Sequence, residues 1–328
     1  MMKPSRFRAV VAAARRATLG LAAAAVMAPL AAHAEAPYPS RPVKLVVTYS
    51  AGGAFDYIAR LLAKGLQDLW GQPVLIENKP GASGVIGADQ VARAAPDGLT
   101  LLIGSASPIV VVPFLRDNVP YDPLVDFTPI AVTAIMPNVL VVNAKSPYKT
   151  FEDLIADAKA RPGMIDYASS GKGDAHHMSM EHMMRATGVK FNEIPYKGGA
   201  PAVLAVASGE VQVAWLAPST ALPLIPEQVR PLAVSTLERI SSFPDIPTVA
   251  ERGYPGFEVI YWVGVMGPAQ MPPAIVAKLQ ADLRKIVSTD SYKESILKTG
   301  NELRFNTADE YAAIIRADYD RNKKTLAP

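Results

Sequence analysis

The chain has 328 residues, half of them hydrophobic, with 33 lysines and arginines against 30 aspartates and glutamates and no cysteine. That length suits one large or two ordinary domains whose core needs no covalent staples. The lack of cysteine excludes disulfide frameworks, thiolate metal sites and cysteine nucleophiles, and the formal charge of +3 is unevenly spread.

Five basic residues (Lys3, Arg6, Arg8, Arg15 and Arg16) fall in the first 34 positions, which hold no acid. A basic segment to Arg16, an apolar stretch from Ala17 to Ala32 and the small-x-small sequence Ala32-His33-Ala34 predict a signal peptide over 1–34, cleaved after Ala34. The apolar stretch is short and broken by Pro29, which argues against a membrane anchor. Removing five positive charges from +3 leaves −2 for the mature chain. With no basic run beyond the leader, nucleic acid is disfavoured as a partner. The expectation is a soluble protein exported to the periplasm.

The mature chain opens with a β-branched run, Val43 to Tyr49, that reads as a buried strand. The loop Ser50 to Asp56 follows. Ile58, Leu61, Leu62, Leu66 and Leu69 then recur at helical spacing, with Asp56 placed as N-cap and Gly71 as terminator. Next come a strand at Val74 to Glu77, a helix from Ser83 to Ala94 and a strand from Leu99 to Gly104. The Pro-rich stretch Pro108 to Pro129 reads as irregular. Val139 to Val142 resumes as a strand, Thr150 opens a helix that stops at Pro162-Gly163, and Ile165 to Ser169 is a strand. A helix ending near Gly188 follows, then strands at Phe191 to Pro195 and Val211 to Leu216 with a helix between them. Helices after Pro272-Pro273, around Tyr292 to Leu297, and behind the capping box Thr307-x-x-Glu310 complete the chain. Strand–helix alternation with short connections predicts α/β architecture with parallel sheets, in two halves of similar construction.

Three Gly-rich loops, Ser50 to Asp56, Ser170 to Asp174 and Tyr196 to Ala200, each join a strand to a helix. Glycines there allow close backbone approach, and the first helical N–H groups favour a carboxylate or a phosphate. A purely structural turn is the alternative for each loop. Neither a P-loop nor a dinucleotide fingerprint is present. Loops at the carboxyl ends of parallel strands open on a common crevice, which favours anion binding for the set. Asp56 is either a cap or a ligand contact, and Lys172 and Lys197 are either carboxylate partners or solvated surface charges. His176, His177 and His182 lie among methionines. Consecutive helical residues diverge in direction, so these histidines do not converge on a metal without help, and no metal or cofactor is expected. His177 and Glu181 can pair on one face. An exported serine hydrolase lacks a GxSxG elbow, because Gly81-Ala82-Ser83-Gly84-Val85 has no closing glycine.

Seven motifs then coincide: Tyr38-Pro39-Ser40-Arg41-Pro42, Ala51-Gly52-Gly53-Ala54-x-Asp56, Glu77-Asn78-Lys79-Pro80-Gly81-Ala82, Ala95-Pro96-Asp97-Gly98, Pro120-Tyr121-Asp122-Pro123, Tyr196-Lys197-Gly198 and Pro244-Asp245-Ile246-Pro247-Thr248. In this order they resemble the Bug/TctC family, extracytoplasmic solute-binding proteins of tripartite tricarboxylate transporters, over nearly the whole mature length. The resemblance implies a two-domain periplasmic-binding-protein fold with the cleft between domains. Domain 1 would comprise residues 35–130 and 232–328, and domain 2 residues 131–231. It implies capture of a small carboxylate by a monomeric, non-enzymatic receptor and delivery to membrane permease subunits. Presentation of a ligand to a sensor kinase is the alternative.

The ligand-binding candidates are then Tyr49, Ser50, Ala51, Gly52, Gly53, Ala54, Phe55 and Asp56 in the first loop, Ser105 and Ser107 after the third strand, and Ser170, Gly171, Lys172, Gly173, Asp174 and His177 in the second loop and its helix. Tyr196, Lys197, Gly198 and Trp215 complete the set. Where the family commonly reads Phe-Asp-Asn, this chain has Trp215-Leu216-Ala217, and Phe55 and Tyr57 flank the first-loop aspartate. Loss of a carboxylate and gain of rings point to a flatter, less polar carboxylate, with Trp215 and Phe55 either stacking on it or packing the core and hinge.

Overall fold

The computed structural model describes residues 38–326, so the expected signal peptide lies outside the described residues. Within them the chain builds two five-stranded sheets. The first holds β1 (Val43–Val47), β2 (Val74–Asn78), β3 (Thr100–Gly104), β4 (Phe127–Met136) and β10 (Tyr261–Pro268). Its order is β2-β1-β3-β10-β4, with β1 parallel to β2 and β3, and β10 antiparallel to both neighbours. The second holds β5 (Val139–Asn143), β6 (Asp166–Ser169), β7 (Asn192–Pro195), β8 (Val213–Leu216) and β9 (Val229–Val234). Its order is β7-β6-β8-β5-β9, with β6 parallel to β7 and β8, and β5 antiparallel to β8 and β9.

The two sheets are therefore built alike, three parallel strands followed by an antiparallel pair. The parallel expectation is corrected to a mixed sheet in both halves. In each, the fourth position is filled by the strand that enters from the other sheet. β5 arrives from β4 through Pro137-Asn138, and β10 arrives from β9 through the segment 235–260. β4 continues to Met136 and β9 to Val234, so both overrun the positions at which the sequence divides the halves.

Three strands escape the sequence reading: β4, β9 and β10. Pro129 lies in β4 and Pro231 in β9, where proline argues against a strand. Gly264 and Gly267 dilute the pattern of β10, and both have packing reasons. A Cβ at Gly264 would run into the buried Tyr311 ring, and one at Gly267 into Met271.

The helices follow the apolar periodicity. α1 (Ala54–Trp70) buries Ile58, Ala59, Leu62, Ala63 and Leu66 and ends at Gly71 in the left-handed region, whose N–H donates to the Gln67 carbonyl. Its N-cap is Gly53, which corrects the assignment of that role to Asp56. α2 (Val85–Ala92) covers the first sheet, and α3 (Phe151–Ala160) starts on a capping box of Thr150 and Asp153. α4 (Ala175–Thr187) and α5 (Gly199–Ser208) follow β6 and β7, and a single turn, α6 (Pro218–Ala221), follows β8. α7 (Pro273–Val287), α8 (Asp290–Lys298) and α9 (Ala308–Leu326) close the chain. The expected capping box forms at α9: Thr307 N–H donates to Glu310 Oε2 (2.7 Å) and Glu310 N–H to Thr307 Oγ1 (3.4 Å).

Buried side chains of both sheets share one apolar cluster, which includes Leu102 and Met266 on one side and Leu140, Val142 and Trp215 on the other. α9 adds Tyr311 and Ile315 to it. The two strand-to-strand passages are also tied to each other. Asn138 N–H donates to Ser235 Oγ (2.9 Å), Ser235 N–H to the Asn138 carbonyl (2.9 Å) and Val259 N–H to the Ser235 carbonyl (2.8 Å).

Candidate cleft site

A cavity of about 410 Å³ opens where residues of both sheets meet. Tyr49, Phe55, Ser83 and Ser107 come from the loops of the first sheet, and Ser170 to His176 and Ala217 from those of the second. Met136, Pro137, Asn138 and Tyr261 line it from the passages between the sheets. Tyr49, Ser107, Ser170 and Ala217 follow β1, β3, β6 and β8, all members of the parallel triplets, so this is the crevice at the carboxyl ends of parallel strands.

On the first sheet the site is aromatic and hydroxylic. Tyr49 and Phe55 stack with centroids 4.3 Å apart and ring planes 15° apart. Tyr49 Oη shares a hydrogen bond with Ser105 Oγ (2.8 Å). Burial pushes the Tyr49 phenol up, only partly offset by the Ser105 and Ser107 hydroxyls, so it serves as a neutral donor and acceptor. Ser105 is wholly buried and supports Tyr49, while Ser107 reaches the cavity.

The rest of the first loop stands elsewhere. Ser50, Ala51, Gly52, Gly53 and Ala54 are exposed and do not line the cavity. Asp56 is 3% exposed and fully committed inside the protein. Its carboxylate accepts from Gly52 N–H (2.9 Å), Arg60 Nε (2.9 Å), Arg60 Nη2 (3.0 Å) and Asn78 Nδ2 (2.9 Å). Burial alone would raise this carboxyl, but Arg60, the Gly52 amide and Asn78 outweigh it and hold it at about 2. Asp56 thus anchors the loop to α1 and β2 and is not among the residues that line the cavity. Gly53 has an ordinary φ of −81°, whereas Gly52, at +82°, occupies the region that glycine favours.

The second loop lines the cavity from Ser170 to Asp174. Gly171 (φ +111°) and Gly173 (φ +80°) turn the backbone so that its amides point inward to fixed acceptors. Gly171 N–H donates to Ser169 Oγ (3.0 Å), which itself donates to Glu193 Oε1 (2.6 Å). Gly173 packs against Leu115 of the first half so closely that a Cβ has no room. Asp174 caps α4 by accepting from His177 N–H (2.8 Å). The N–H groups of Ala175 and His176, in the first turn, have no intrahelical acceptor, and both residues line the cavity. Lys172 also lines it and is exposed.

The three histidines have three separate surroundings. His176, not singled out as a ligand candidate from the sequence, lines the cavity with Nδ1 bonded to Ser170 Oγ (2.6 Å). His177 turns inward: its Nδ1 accepts from Gly173 N–H (3.3 Å), and its Nε2 lies 3.7 Å from Glu181 and 3.9 Å from Glu193. His182 bonds Asn322 of α9 (3.2 Å). Adjacent helical positions face different ways, which is why one of the pair meets the cavity and the other supports the loop.

Tyr196, Lys197 and Gly198 do not line the cavity, because they follow β7 at the sheet's edge, and Tyr196 Oη donates to Glu210 (2.7 Å). Trp215 is fully buried. β8 is the central strand, and its side chains alternate between faces, which sends Trp215 into the cluster shared by both sheets and Leu216 to the opposite side. Its place is the core, not the cavity wall. Ser83, Asn138, His176 and Tyr261 are the polar lining residues that the sequence alone did not select. A larger groove of about 610 Å³ lies at the other end of α4, lined by His182, Arg185, Arg321 and Lys324 among others, and holds none of the candidates.

Comparison with known proteins agrees with this geometry. The family model for the tripartite tricarboxylate transporter family receptor matches residues 58–327. BugT of Bordetella pertussis is 36% identical over 92% of either chain. A solved R. palustris protein with adipate is 34% identical and superimposes with a TM-score of 0.72, covering 88% of this chain and 98% of its own. MatC from Rhodopseudomonas palustris with bound malate is 29% identical, with a TM-score of 0.71 over 88% of this chain and all of its own. With its two-sheet fold, its cleft and a family match over most of its length, the chain belongs to the tripartite tricarboxylate transporter receptor family.

Proposed function

We propose that this receptor captures a small organic carboxylate in the cleft between its two sheets, in the periplasm, and hands it to the permease subunits of a tripartite transporter. The observation that carries the reading is the cavity itself. It has about 410 Å³, within the range of small-molecule sites, and it is lined from both sheets by hydroxyls, aromatic rings and the first turn of α4. Two similar proteins solved with adipate and with malate support a carboxylate as the ligand class.

We take each sheet with its helices as one lobe, dividing at Pro137-Asn138 and after Val234. Ligand bridging the Tyr49–Phe55 wall and the Ser170–His176 loop favours the closed arrangement over the open one by its contacts to both. Anionic charge is met by amide dipoles, hydroxyls and Lys172, with no arginine among the described lining residues. The stacked Tyr49–Phe55 pair offers a flat apolar wall, which favours an aliphatic diacid chain or an aromatic acid over an amino acid. Export is assigned to the first 34 residues, and the working form is a monomer without catalytic activity.

Titration calorimetry with adipate, malate, citrate, phthalate, benzoate and glutamate tests the reading. Saturable binding of one or more of the non-amino acids is expected. Binding of glutamate alone, or of no carboxylate, refutes it.

A further inference from the structure

His176 stands out in the cavity because it is the one histidine there and its two ring nitrogens are treated differently. Nδ1 is held by the Ser170 hydroxyl at 2.6 Å, with Asp174 Oδ2 at 3.8 Å. Among the described residues Nε2 has no hydrogen-bond partner, and it is not one of their fully buried unpaired atoms. The ring lies against Gly199, where an added Cβ would come within 3.2 Å of Cε1, so its plane is fixed on that side as well. In the tautomer in which Ser170 donates to Nδ1, the neutral ring carries its proton on Nε2.

The charged and titratable groups around it are few. Asp174 and Lys172 come from its own loop. The facing walls contribute the phenols of Tyr49 and Tyr261, both pushed up by burial and so uncharged. The start of α5 brings Gly199, with the exposed Lys197 two residues earlier; a Cβ at Gly199 would also approach the Thr220 hydroxyl at 3.6 Å. Burial lowers the His176 imidazole below its ordinary value, with Asp174 pulling in the opposite direction.

We propose that His176 reads the charge of the ligand: Nε2–H donates to a bound carboxylate, and the ring takes a proton from solvent as the anion enters. The incoming proton goes to Nδ1, which then donates to Ser170 Oγ. The Ser170 hydroxyl hydrogen is released from Nδ1 and becomes available to the ligand. A second negative charge beside Asp174 stabilises the imidazolium, so the cleft gains a cation only when it is occupied. The inference rests on the proposed carboxylate function and deepens it, since it explains how an anion is held firmly without an arginine.

Linkage gives the sign. A histidine whose pKa rises on binding makes affinity greater at low pH. That affinity falls as pH rises between the empty-state and ligand-bound values, by at most about tenfold per pH unit. Calorimetry of the full mature protein with the tightest-binding acid of the panel above, run between pH 5.5 and 8 in buffers of different ionisation heat, counts the protons taken up. Net uptake approaching one proton per ligand is expected in part of that range. His176→Gln, which keeps a neutral amide donor, should remove both the uptake and the pH slope while circular dichroism stays unchanged. Should that variant misfold, His176→Asn and the wild-type proton count decide the matter. Wild-type binding with no proton uptake, or uptake that persists in His176→Gln, overturns the role of His176 and leaves the carboxylate function standing. If no acid of the panel binds the wild-type protein, the function falls and this inference with it.

Discussion

Asp56→Asn separates a structural anchor from a ligand contact. The carboxylate receives four hydrogen bonds, two of them from the Arg60 guanidinium in an i,i+4 pair. It is held at about 2 in the folded protein, against about 3.9 for an unfolded aspartate. Taken whole, that difference corresponds to roughly 2.5 kcal/mol. Arg60 is more than half exposed and its share is screened by water, so about 1–2 kcal/mol is the expected contribution. Because the folded value is depressed, the stabilisation is complete above about pH 4 and is lost as pH falls through about 2. Urea unfolding at pH 7 should therefore place Asp56→Asn about 1–2 kcal/mol below wild type. The gap should close steadily between pH 4 and pH 2. Two stability curves that remain parallel from pH 6 to pH 2 would refute the assignment, and so would a variant as stable as wild type at pH 7.

Three further substitutions probe the cleft and the passages between sheets. Trp215→Phe deletes no hydrogen bond, because the buried indole N–H has no partner; it should cost about 1–2 kcal/mol of stability through lost volume and leave ligand affinity within twofold. A tenfold loss of affinity by calorimetry would put Trp215 in contact with ligand after all. Phe55→Leu keeps apolar burial but removes the stack on Tyr49, worth about 0.5–1.5 kcal/mol; affinity for phthalate and benzoate should drop more than affinity for adipate, and equal losses would count against a ring-stacking wall. Ser235→Ala strips the acceptor from the buried Asn138 N–H and should lower unfolding free energy in urea by about 1–3 kcal/mol, whereas an unchanged midpoint would mean that the knot between the passages is not under load.

The periodic helices and the β-branched parallel strands were legible in the sequence because their signals are local. α1 announces itself through Ile58, Leu62 and Leu66 and its terminating Gly71, and β1 through the β-branched, mostly apolar run Val43-Lys44-Leu45-Val46-Val47. β10 was not legible, since the need for Gly264 arises from Tyr311, a residue of the last helix, which no local pattern reveals. The site divides in the same way. Ser170 to Asp174 could be picked out because two glycines and an N-capping aspartate are local features. The choice of His176 over His177 depends on the rotation of α4 about its own axis relative to the first sheet. Asp56 misled for a related reason: as a residue it suits capping and ligand contact equally, and Arg60 and Asn78, one a helical turn away and one at the end of β2, decide that it does neither. Asn138 could not be recognised until the passage between sheets was seen to line the cavity.

On the proposed function, that residue connects the cleft to the passages between the sheets. Asn138 lines the cavity, donates from Nδ2 to Ser179 Oγ of α4 (2.9 Å), and is locked by its backbone to Ser235 in the opposite passage. The first turn of α4 lines the cavity, and later residues of α4 bond to α9, through His182 to Asn322 and Arg185 to the Lys324 carbonyl. The first turn of α4 is thus bonded, directly or through Asn138, to both passages and, through the rest of the helix, to α9. This arrangement also answers the problem posed by the charge of the mature chain. On the proposed export, the formal −2 of the remaining chain is screened within about 8 Å at physiological salt, while on the proposed function the amides of Ala175 and His176 act at contact distance inside the cleft. Local dipoles win over the distant charge, and an acceptor-rich ligand that engages them draws on the same helix that ties the lobes together.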